Sequence, residues 1–266
     1  QKFALDKFPL VQIINPLTKD RSFLRPSTIP SLLDVFNYNF SRKLEDVFLI
    51  EIGKHYSENS EVELISGLMH GQYLSSAWQK QTIDTDFYLV KGVIERLFND
   101  LLIDNYRFKR PETIINELHP GVAAQIYVNE TLIGMIGRLH PEEENQYGTS
   151  HIYVFEMNLE KLFNQSIKNQ KRYLSISKFP RVSRDLALVM DSSLEAQSLL
   201  DSIDGLGMNT LKSVNVFDVY QGNHLEEGKK SIAMQFVFES QDKTLETAEV
   251  DNLIKKIINK LEDDHL

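Results

Sequence analysis

The sequence contains no cysteine, few glycines and prolines, and no long hydrophobic run. The absence of cysteine excludes disulfides, thiolate metal ligands and a thiol nucleophile, and it is typical of a reducing cytoplasm. Twelve glycines and eight prolines in 266 residues are too few for a fibrous or low-complexity chain. No run approaches the roughly 18 apolar residues of a membrane helix. We therefore expect a soluble, cytoplasmic protein with no membrane partner, and the length predicts two domains.

The sequence also has fewer basic than acidic residues, 29 Lys and Arg compared with 38 Asp and Glu, which gives a net charge of -9. A surface of this sign repels the phosphates of a nucleic acid, so RNA binding would need a local basic patch and contacts to bases. One segment is a local exception and contains five basic residues before its first acid: Lys171, Arg172, Lys178, Arg181 and Arg184. We interpret this basic strip either as a solvated lead-in segment or as a phosphate-contacting surface.

Hydrophobic periodicity predicts a mixed α+β domain in the front half of the chain. Apolar residues at helical spacing predict two amphipathic helices, from an N-cap at Thr28 to about Lys43 and from Asp86 to about Leu102. Short apolar runs predict five strands, of which the third and fourth form a hairpin: 46–53, 63–71, 123–128, 132–139 and 151–157.

A polar stretch from Leu162 to Arg172 loses this periodicity and predicts a linker, with the domain boundary near Asn169. The residues after it predict strand, helix, strand, strand and helix, at 186–190, 194–203, 213–219, 231–238 and 248–261. That order lacks only a closing strand to be the ferredoxin-like unit, which has four antiparallel strands and two helices on one face. The predicted domains are residues 1–168 and 172–266.

The sequence offers little for catalysis. His119 and His140, each followed by proline, stand near Glu117 and three glutamates at 142–144, but their spacing matches no metal motif. No glycine-rich phosphate loop and no Gly-x-Ser-x-Gly motif occurs. We predict no catalytic and no metal-binding residue and interpret the His-Pro pairs as turns, with a His/Glu hydrolase as the alternative.

The strand that ends at Tyr220 carries a different signal. Alternation places Phe217 and Val219 on one face and Asp218 and Tyr220 on the other. If Phe217 and Val219 are core, Asp218 and Tyr220 are exposed together, and Ser231 at the start of the next strand can add a hydroxyl. An exposed aromatic ring beside a carboxylate suits an unpaired base, which stacks on the ring and donates from its amino edge.

Several segments, taken in order, resemble the carboxy-terminal part of the bacterial phenylalanyl-tRNA synthetase beta subunit. In the back half they resemble its ferredoxin-fold anticodon-binding domain: 176–185 (ISKFPRVSRD), 217–222 (FDVYQG), 228–233 (GKKSIA) and 243–245 (KTL). In the front half they resemble its class II synthetase-like domain: 15–17, 24–27, 48–53, 86–87 with 91–92, 118–121 and 137–141.

The resemblance implies a non-catalytic scaffold. In this family the alpha subunit joins phenylalanine to tRNA with ATP and magnesium, so no cofactor is expected in this chain itself. The sequence agrees, because it has no glycine-rich final motif that ends in Glu-Arg. The helix after Thr28 is the candidate contact with alpha, and packing within its own domain is the alternative. If its apolar stripe were exposed, a homodimer would be favoured.

The resemblance also implies roles for single residues. In the family, the first anticodon guanine of phenylalanine tRNA stacks on a Tyr and bonds to an Asp and a Ser, and Tyr220, Asp218 and Ser231 match these positions. The basic strip would supply phosphate contacts, chiefly from Arg181, Arg184 and Lys178. The family closes its sheet with a fourth strand and a nearby Arg, and this sequence ends before them. The alternative is an assembly module that does not contact RNA.

Overall fold

The computed structural model describes residues 11–18, 22–58, 60–76, 78, 80–166, 173, 175–222 and 224–265. The chain divides into two compact units, Gln1–Arg172 and Tyr173–Leu266. Both contain antiparallel sheets with helices, which confirms the predicted mixed α+β class. None of the helices in the described ranges is long and apolar enough to cross a membrane.

The first unit is built around a six-stranded antiparallel sheet. Its helices, within the described residues, are α1 (Ile29–Phe40), α2 (Phe87–Asp100), α3 (Pro141–Asn145) and α4 (Leu159–Ser166). Its strands are β1 (Val47–Ser57), β2 (Ser60–His70), β3 (Gln72–Ser76), β4 (Gln81–Asp84), β5 (Tyr106–Lys109), β6 (Leu118–Val128), β7 (Thr131–Leu139) and β8 (Tyr153–Asn158). The sheet order is β1-β2-β8-β7-β6-β5, and β3 pairs with β4.

Helices cover both faces of this sheet. Helix α1 packs against β1, β2 and β8, whereas α2 and α4 pack on β2, β7 and β8. Neighbouring residues of β8 belong to different cores, because Val154 lies in the cluster with α1 and Phe155 in the cluster with α2. Side chains alternate between the faces of a strand, so the two cores lie on opposite sides of the sheet.

Helix α1 differs from its prediction at both ends. Thr28 does not cap it with its side chain, because its hydroxyl faces Ser66 and Glu156, while Ser27 Oγ accepts from Ile29 N at 3.2 Å. The helix ends at Phe40, since the backbone turns into the left-handed region at Lys43 (φ 70°).

The apolar stripe of α1 is buried in the chain's own core. Ile29, Leu32, Leu33 and Phe36 are all buried against the sheet. For these four residues the alternative, packing within the domain, is the one observed, and a contact of the helix with another subunit stays a prediction. The premise of the homodimer argument, an exposed stripe on this helix, is not met.

The predicted hairpin and the second helix are confirmed. Strands β6 and β7 meet at Asn129 and Glu130, both of which have positive φ (47° and 62°), as a two-residue type I′ turn requires. The Asp86 side chain caps α2 by accepting a hydrogen bond from Leu89 N at 2.7 Å.

The predicted linker begins too early. Residues 162–166 belong to α4, whose first turn is capped by the Asn158 side chain, which accepts from Lys161 N at 2.7 Å. Leu159 and Leu162 are buried, so a short apolar face holds this helix on the sheet. Residues 167–172 lie outside the described part of the chain.

The second unit has the predicted order of strand, helix, strand, strand and helix. Its elements are β9 (Val182–Asp191), α5 (Ala196–Asp204), β10 (Leu211–Tyr220), β11 (Lys229–Phe238) and α6 (Thr247–His265). The antiparallel sheet has the order β10-β11-β9, so β11 is central. In the described residues no fourth strand pairs with β9, and α6 extends to His265.

Only one face of this second sheet is packed in the core. Along β11, Ile232, Met234, Phe236 and Phe238 are buried with residues of α5 and α6. The residues between them are half-buried and point to the other side. We call this other side, which neither α5 nor α6 covers, the open face.

Candidate nucleic-acid interface

The register of the second sheet brings the three predicted base-contacting residues together on the open face. Tyr220 pairs with Ser231, and Ser231 pairs with Val189 of β9, so these three form one row across the sheet. Asp218 begins the next row, opposite Ala233. Directly opposed side chains in an antiparallel ladder have Cβ atoms about 5 Å apart. Tyr220, Asp218 and Ser231 therefore lie within reach of one ligand.

One premise of the sequence argument is wrong, although its conclusion about Tyr220 and Asp218 agrees with the register. Phe217 and Val219 are not core residues, since they are 58% and 54% exposed. A β-bulge between Val216 and Asp218 interrupts the regular alternation and leaves Phe217 without a partner in the register. Val219 does lie opposite the buried Ile232, but the helices do not cover this end of β10.

The tyrosine ring lies back against the chain that follows its strand. Tyr220 is 42% exposed, and a methyl group placed on Gly222 would come within 2.5 Å of its Oη. Glycine at 222 is thus the residue that leaves room for the ring. The ring is held at the end of the sheet while a large part of it stays open to solvent.

The open face carries mostly negative charge. Its rows contain the carboxylates of Asp185, Asp191 and Asp218 and one ammonium group, that of Lys229. Hydrogen bonds from the Ser193 side chain and backbone lower the pKa of Asp191, and Lys229 and Lys230 add to this effect. Such a face repels phosphate but accepts hydrogen bonds from base amino and imino groups, because a carboxylate is an acceptor only.

The basic strip does not gather on the open face. Arg184 lies opposite the buried Phe236, on the helix side of β9, and its guanidinium is 3.4 Å from Asp251 Oδ1 of α6. Arg181 forms an ion pair with Glu239. Lys178 is exposed, and Lys171 and Arg172 lie outside the described residues. Two of the predicted phosphate contacts are thus already bound to carboxylates of the same unit.

The histidines of the hydrolase alternative bond to nearby backbone groups. His140 precedes α3, but the turn predicted at His119 is wrong, because His119 lies in β6, where the pairing with β7 is irregular between Leu118 and Ala123. Gly121 N donates to His119 Nδ1 at 3.1 Å, and Glu142 N donates to His140 Nδ1 at 3.3 Å at the start of α3. The Glu144 carboxylate accepts hydrogen bonds from the Arg138 guanidinium at 2.7 Å and from Ile152 N at 2.8 Å. Within the described ranges, no group of three or more acidic or histidine side chains is placed to hold a metal ion.

The polar groups of the first sheet are likewise engaged with one another. Glu156 Oε2 accepts from Ser27 Oγ at 2.8 Å, from Thr28 N and Oγ1 at 3.0 Å, and from Ser66 Oγ at 3.3 Å. This carboxylate ties the start of α1 to β2 and β8. It is a structural group rather than one that awaits a ligand.

The sequence reasoning missed the place of Val189 on the open face and the exposure of Phe217. Period-2 alternation along β9 could have placed Val189, which is 50% exposed, on the open face. Nothing in the sequence marks the bulge that exposes Phe217, because bulges depend on how two strands pair.

Residues 1–159 match the model of the phenylalanyl tRNA synthetase beta chain CLM domain, which is more than half of the chain. The chain belongs to the phenylalanyl-tRNA synthetase beta chain family. Residues 177–265 match the ferredoxin-fold anticodon binding domain, which confirms the predicted fold of the second unit.

Individual beta subunits show the same relationship. The phenylalanine–tRNA ligase beta subunits of Carboxydothermus hydrogenoformans, Staphylococcus aureus (strain MRSA252) and Bacillus subtilis are 37%, 38% and 36% identical to this chain. The matches cover 95%, 98% and 98% of this chain but 32%, 32% and 33% of theirs. The chain thus spans about a third of the length of these relatives.

Among solved structures, Desulfitobacterium hafniense PylSc, a pyrrolysyl tRNA synthetase, is a distant match. It covers 62% of this chain and 67% of its own, with a TM-score of 0.42 and 12% identity. A likeness of this size carries no argument about function.

Proposed function

We propose that this chain is a non-catalytic part of a phenylalanine–tRNA ligase. Its second unit reads the anticodon of phenylalanine tRNA, and its first unit supports the alpha subunit that catalyses the reaction. The labelled domains, a synthetase-like domain at 1–168 and an anticodon-binding domain at 172–266, are part of this proposal, as is a cytoplasmic location. The observation that carries it is the convergence of Tyr220, Asp218 and Ser231 on the open face.

These three side chains suit an unpaired guanine. The exposed Tyr220 ring offers a stacking surface to one face of the base. Guanine presents two adjacent donors on its Watson–Crick edge, and the carboxylate of Asp218 accepts from both. Ser231 Oγ, opposite Tyr220, donates to or accepts from the remaining polar groups of the base. Cytosine offers a single donor group on that edge and satisfies Asp218 less well.

ATP and magnesium belong in this proposal to the alpha subunit. The described residues do not fit them, because no carboxylate cluster is placed for a metal and Glu156 is already bonded to Ser27, Thr28 and Ser66. Aminoacylation therefore requires alpha, and the chain alone is expected to bind RNA weakly.

The proposal is tested by fluorescence anisotropy of the full chain with a labelled phenylalanine anticodon stem-loop. Tyr220→Ala should weaken binding roughly 5- to 150-fold, the loss of one base–aromatic stack of about 1–3 kcal/mol. Asp218→Asn and Ser231→Ala should also weaken it. Val219→Ala is the matched control, since Val219 is also exposed and lies on the same strand, but on the opposite face.

Wild-type affinity in Tyr220→Ala would overturn the assignment of this site. An equal loss in Val219→Ala would also contradict it, because binding would then depend on the strand and not on the open face.

A further inference from the structure

Gly222 lies two residues after Tyr220, where the chain leaves strand β10. It is exposed, and its backbone does not have the left-handed φ that favours glycine, whereas that of Gly228 does (φ 82°). An alanine can therefore adopt the backbone conformation of residue 222. Backbone conformation alone gives no reason for a glycine at this position.

The reason lies in the space beside residue 222, which the Tyr220 ring occupies. A Cβ atom added to Gly222 would lie 2.5 Å from Tyr220 Oη and 2.8 Å from Cζ of the same ring. Both distances are well inside van der Waals contact. Oη would have to move by about 1 Å to relieve the overlap.

The ring, rather than the backbone, is the part that can move. Tyr220 is paired with Ser231 across the sheet, and the carbonyl oxygen of Gly222 accepts a hydrogen bond from Leu225 N at 3.0 Å. These contacts hold the backbone before and after the site of the overlap. The Tyr220 side chain is 42% exposed, so it can swing into solvent. A methyl group at 222 therefore displaces the ring and leaves the strand in place.

We infer that Gly222 is a positioning residue of the anticodon site, because the absence of a side chain there sets where the Tyr220 ring stacks on the base. The inference rests on the proposed function, since it takes Tyr220 to be the stacking residue. A binding group has to be held within about 0.5 Å of its productive position. A ring displaced further than this carries the stacked guanine away from Asp218 and Ser231, so both the affinity and the preference for guanine fall.

The test measures the binding of Gly222→Ala by fluorescence anisotropy, with the phenylalanine anticodon stem-loop and with the loop that carries cytosine in place of the first guanine. The guanine loop should bind at least about fivefold more weakly than it binds the unaltered chain, and the preference for guanine should shrink. Gly205→Ala is the matched control and should bind normally. Gly205 is also exposed, and a Cβ atom added there meets only two backbone oxygens, at 3.4 Å.

A double-mutant comparison shows whether Gly222 acts through the ring. In a chain that already carries Tyr220→Ala, Gly222→Ala should cause no further loss of affinity, because no ring is left to displace. The same loss with and without the ring would overturn the inference, since residue 222 would then act by another route.

Urea unfolding separates a displaced ring from a damaged fold. The unfolding midpoint of Gly222→Ala should equal or exceed that of the unaltered chain, because alanine at a permitted φ restricts the unfolded chain more than glycine does. A lower midpoint would contradict the inference, since the methyl group would then strain the backbone and not only the ring.

The outcomes also separate the inference from the proposed function. If Tyr220→Ala weakens binding while Gly222→Ala binds like the unaltered chain, the positioning role is overturned and the proposed function stands. If Tyr220→Ala binds like the unaltered chain, or the unaltered chain does not bind the loop, the proposed function fails and the inference fails with it.

Discussion

The two sheets of this protein differ in how many of their faces are covered. In the first unit, consecutive residues Val154 and Phe155 enter two separate cores. In the second, Met234 is buried while its neighbours Ala233 and Gln235 face solvent in part. Both sheets are antiparallel, so strand pairing alone does not decide which of them can bind a ligand. The second sheet can bind a ligand because one of its faces is left uncovered.

Whether helices cover a sheet face also determines whether its polar side chains bond to their own unit or stay exposed. In the first unit, Glu156 and Glu144 are satisfied by groups of their own unit. In the second, Asp218 and Tyr220 stand exposed on the open face. The two units differ in the same way in how they shift pKa values, since burial raises the pKa of Tyr153 whereas hydrogen bonds from Ser193 lower the pKa of Asp191.

The largest expected effect is on the free energy of unfolding, and it tests directly which sheet faces the helices cover. Phe155→Ala should lower the free energy of unfolding by about 3–5 kcal/mol and Val154→Ala by about 2 kcal/mol, because both faces of β8 are packed. On β11, Met234→Ala should cost about 2–5 kcal/mol, but Gln235→Ala less than about 0.5 kcal/mol. Urea unfolding measures all four. A large loss in Gln235→Ala would mean that the open face is packed.

The buried ion pair of the first unit should come next. Glu144, only 2% exposed, holds both Arg138 and Ile152 N, so Glu144→Ala should cost about 3 kcal/mol or more. Asp100→Ala removes the carboxylate of an exposed helical pair with Arg96 and should cost at most about 0.5 kcal/mol. Chemical denaturation checks both variants, and equal losses would contradict the structural role given to Glu144.

A smaller loss is expected for Glu156→Gln. The amide keeps the shape but turns charge-assisted hydrogen bonds from Ser27, Thr28 and Ser66 into weaker ones, at a cost of about 1.5–3 kcal/mol. Glu160→Gln, an exposed position on α4, serves as the control. If Glu156→Gln left the unfolding midpoint unchanged, the network would not be what anchors the start of α1.

The smallest effect concerns the titration of the open face. The pKa of Asp191 lies below its ordinary value of 3.8, so its charged form stabilises the fold above that value. The stabilisation is lost as the pH falls through the lowered pKa. Ser193→Ala removes the Oγ hydrogen bond of 2.6 Å and should raise the pKa of Asp191 toward its ordinary value. NMR titration of the carboxyl carbon checks this, and an unchanged pKa would refute the cause given.

The sequence predicted the long elements because their apolar side chains repeat at regular intervals. Helix α2 and the β6–β7 hairpin show this, since one has a clear stripe and cap and the other has two alternating runs around a turn. Strands β3, β4 and β5 were missed because they are only four or five residues long, and β4 is exposed throughout. Their pairing partners, not their own residues, make them strands.

The site was predicted in part. The alternation of Asp218 and Tyr220 and the hydroxyl of Ser231 were visible in the sequence, but that they share one face depends on the register between β10 and β11. The sequence could not show whether the basic strip contacts phosphate or bonds to carboxylates of its own unit. Ion pairs of Arg184 with Asp251 and of Arg181 with Glu239 join residues 58 or more positions apart, and no local pattern announces them.

The most direct test of the account compares two stem-loops on the unaltered chain. Anisotropy is measured with the phenylalanine anticodon loop and with the same loop carrying cytosine in place of the first guanine, each at low and moderate salt. The account predicts tighter binding to the guanine loop, with the ratio of the two affinities kept as salt weakens both, because base contacts on the open face supply the preference. Equal affinity for the two loops at both salt concentrations would contradict it.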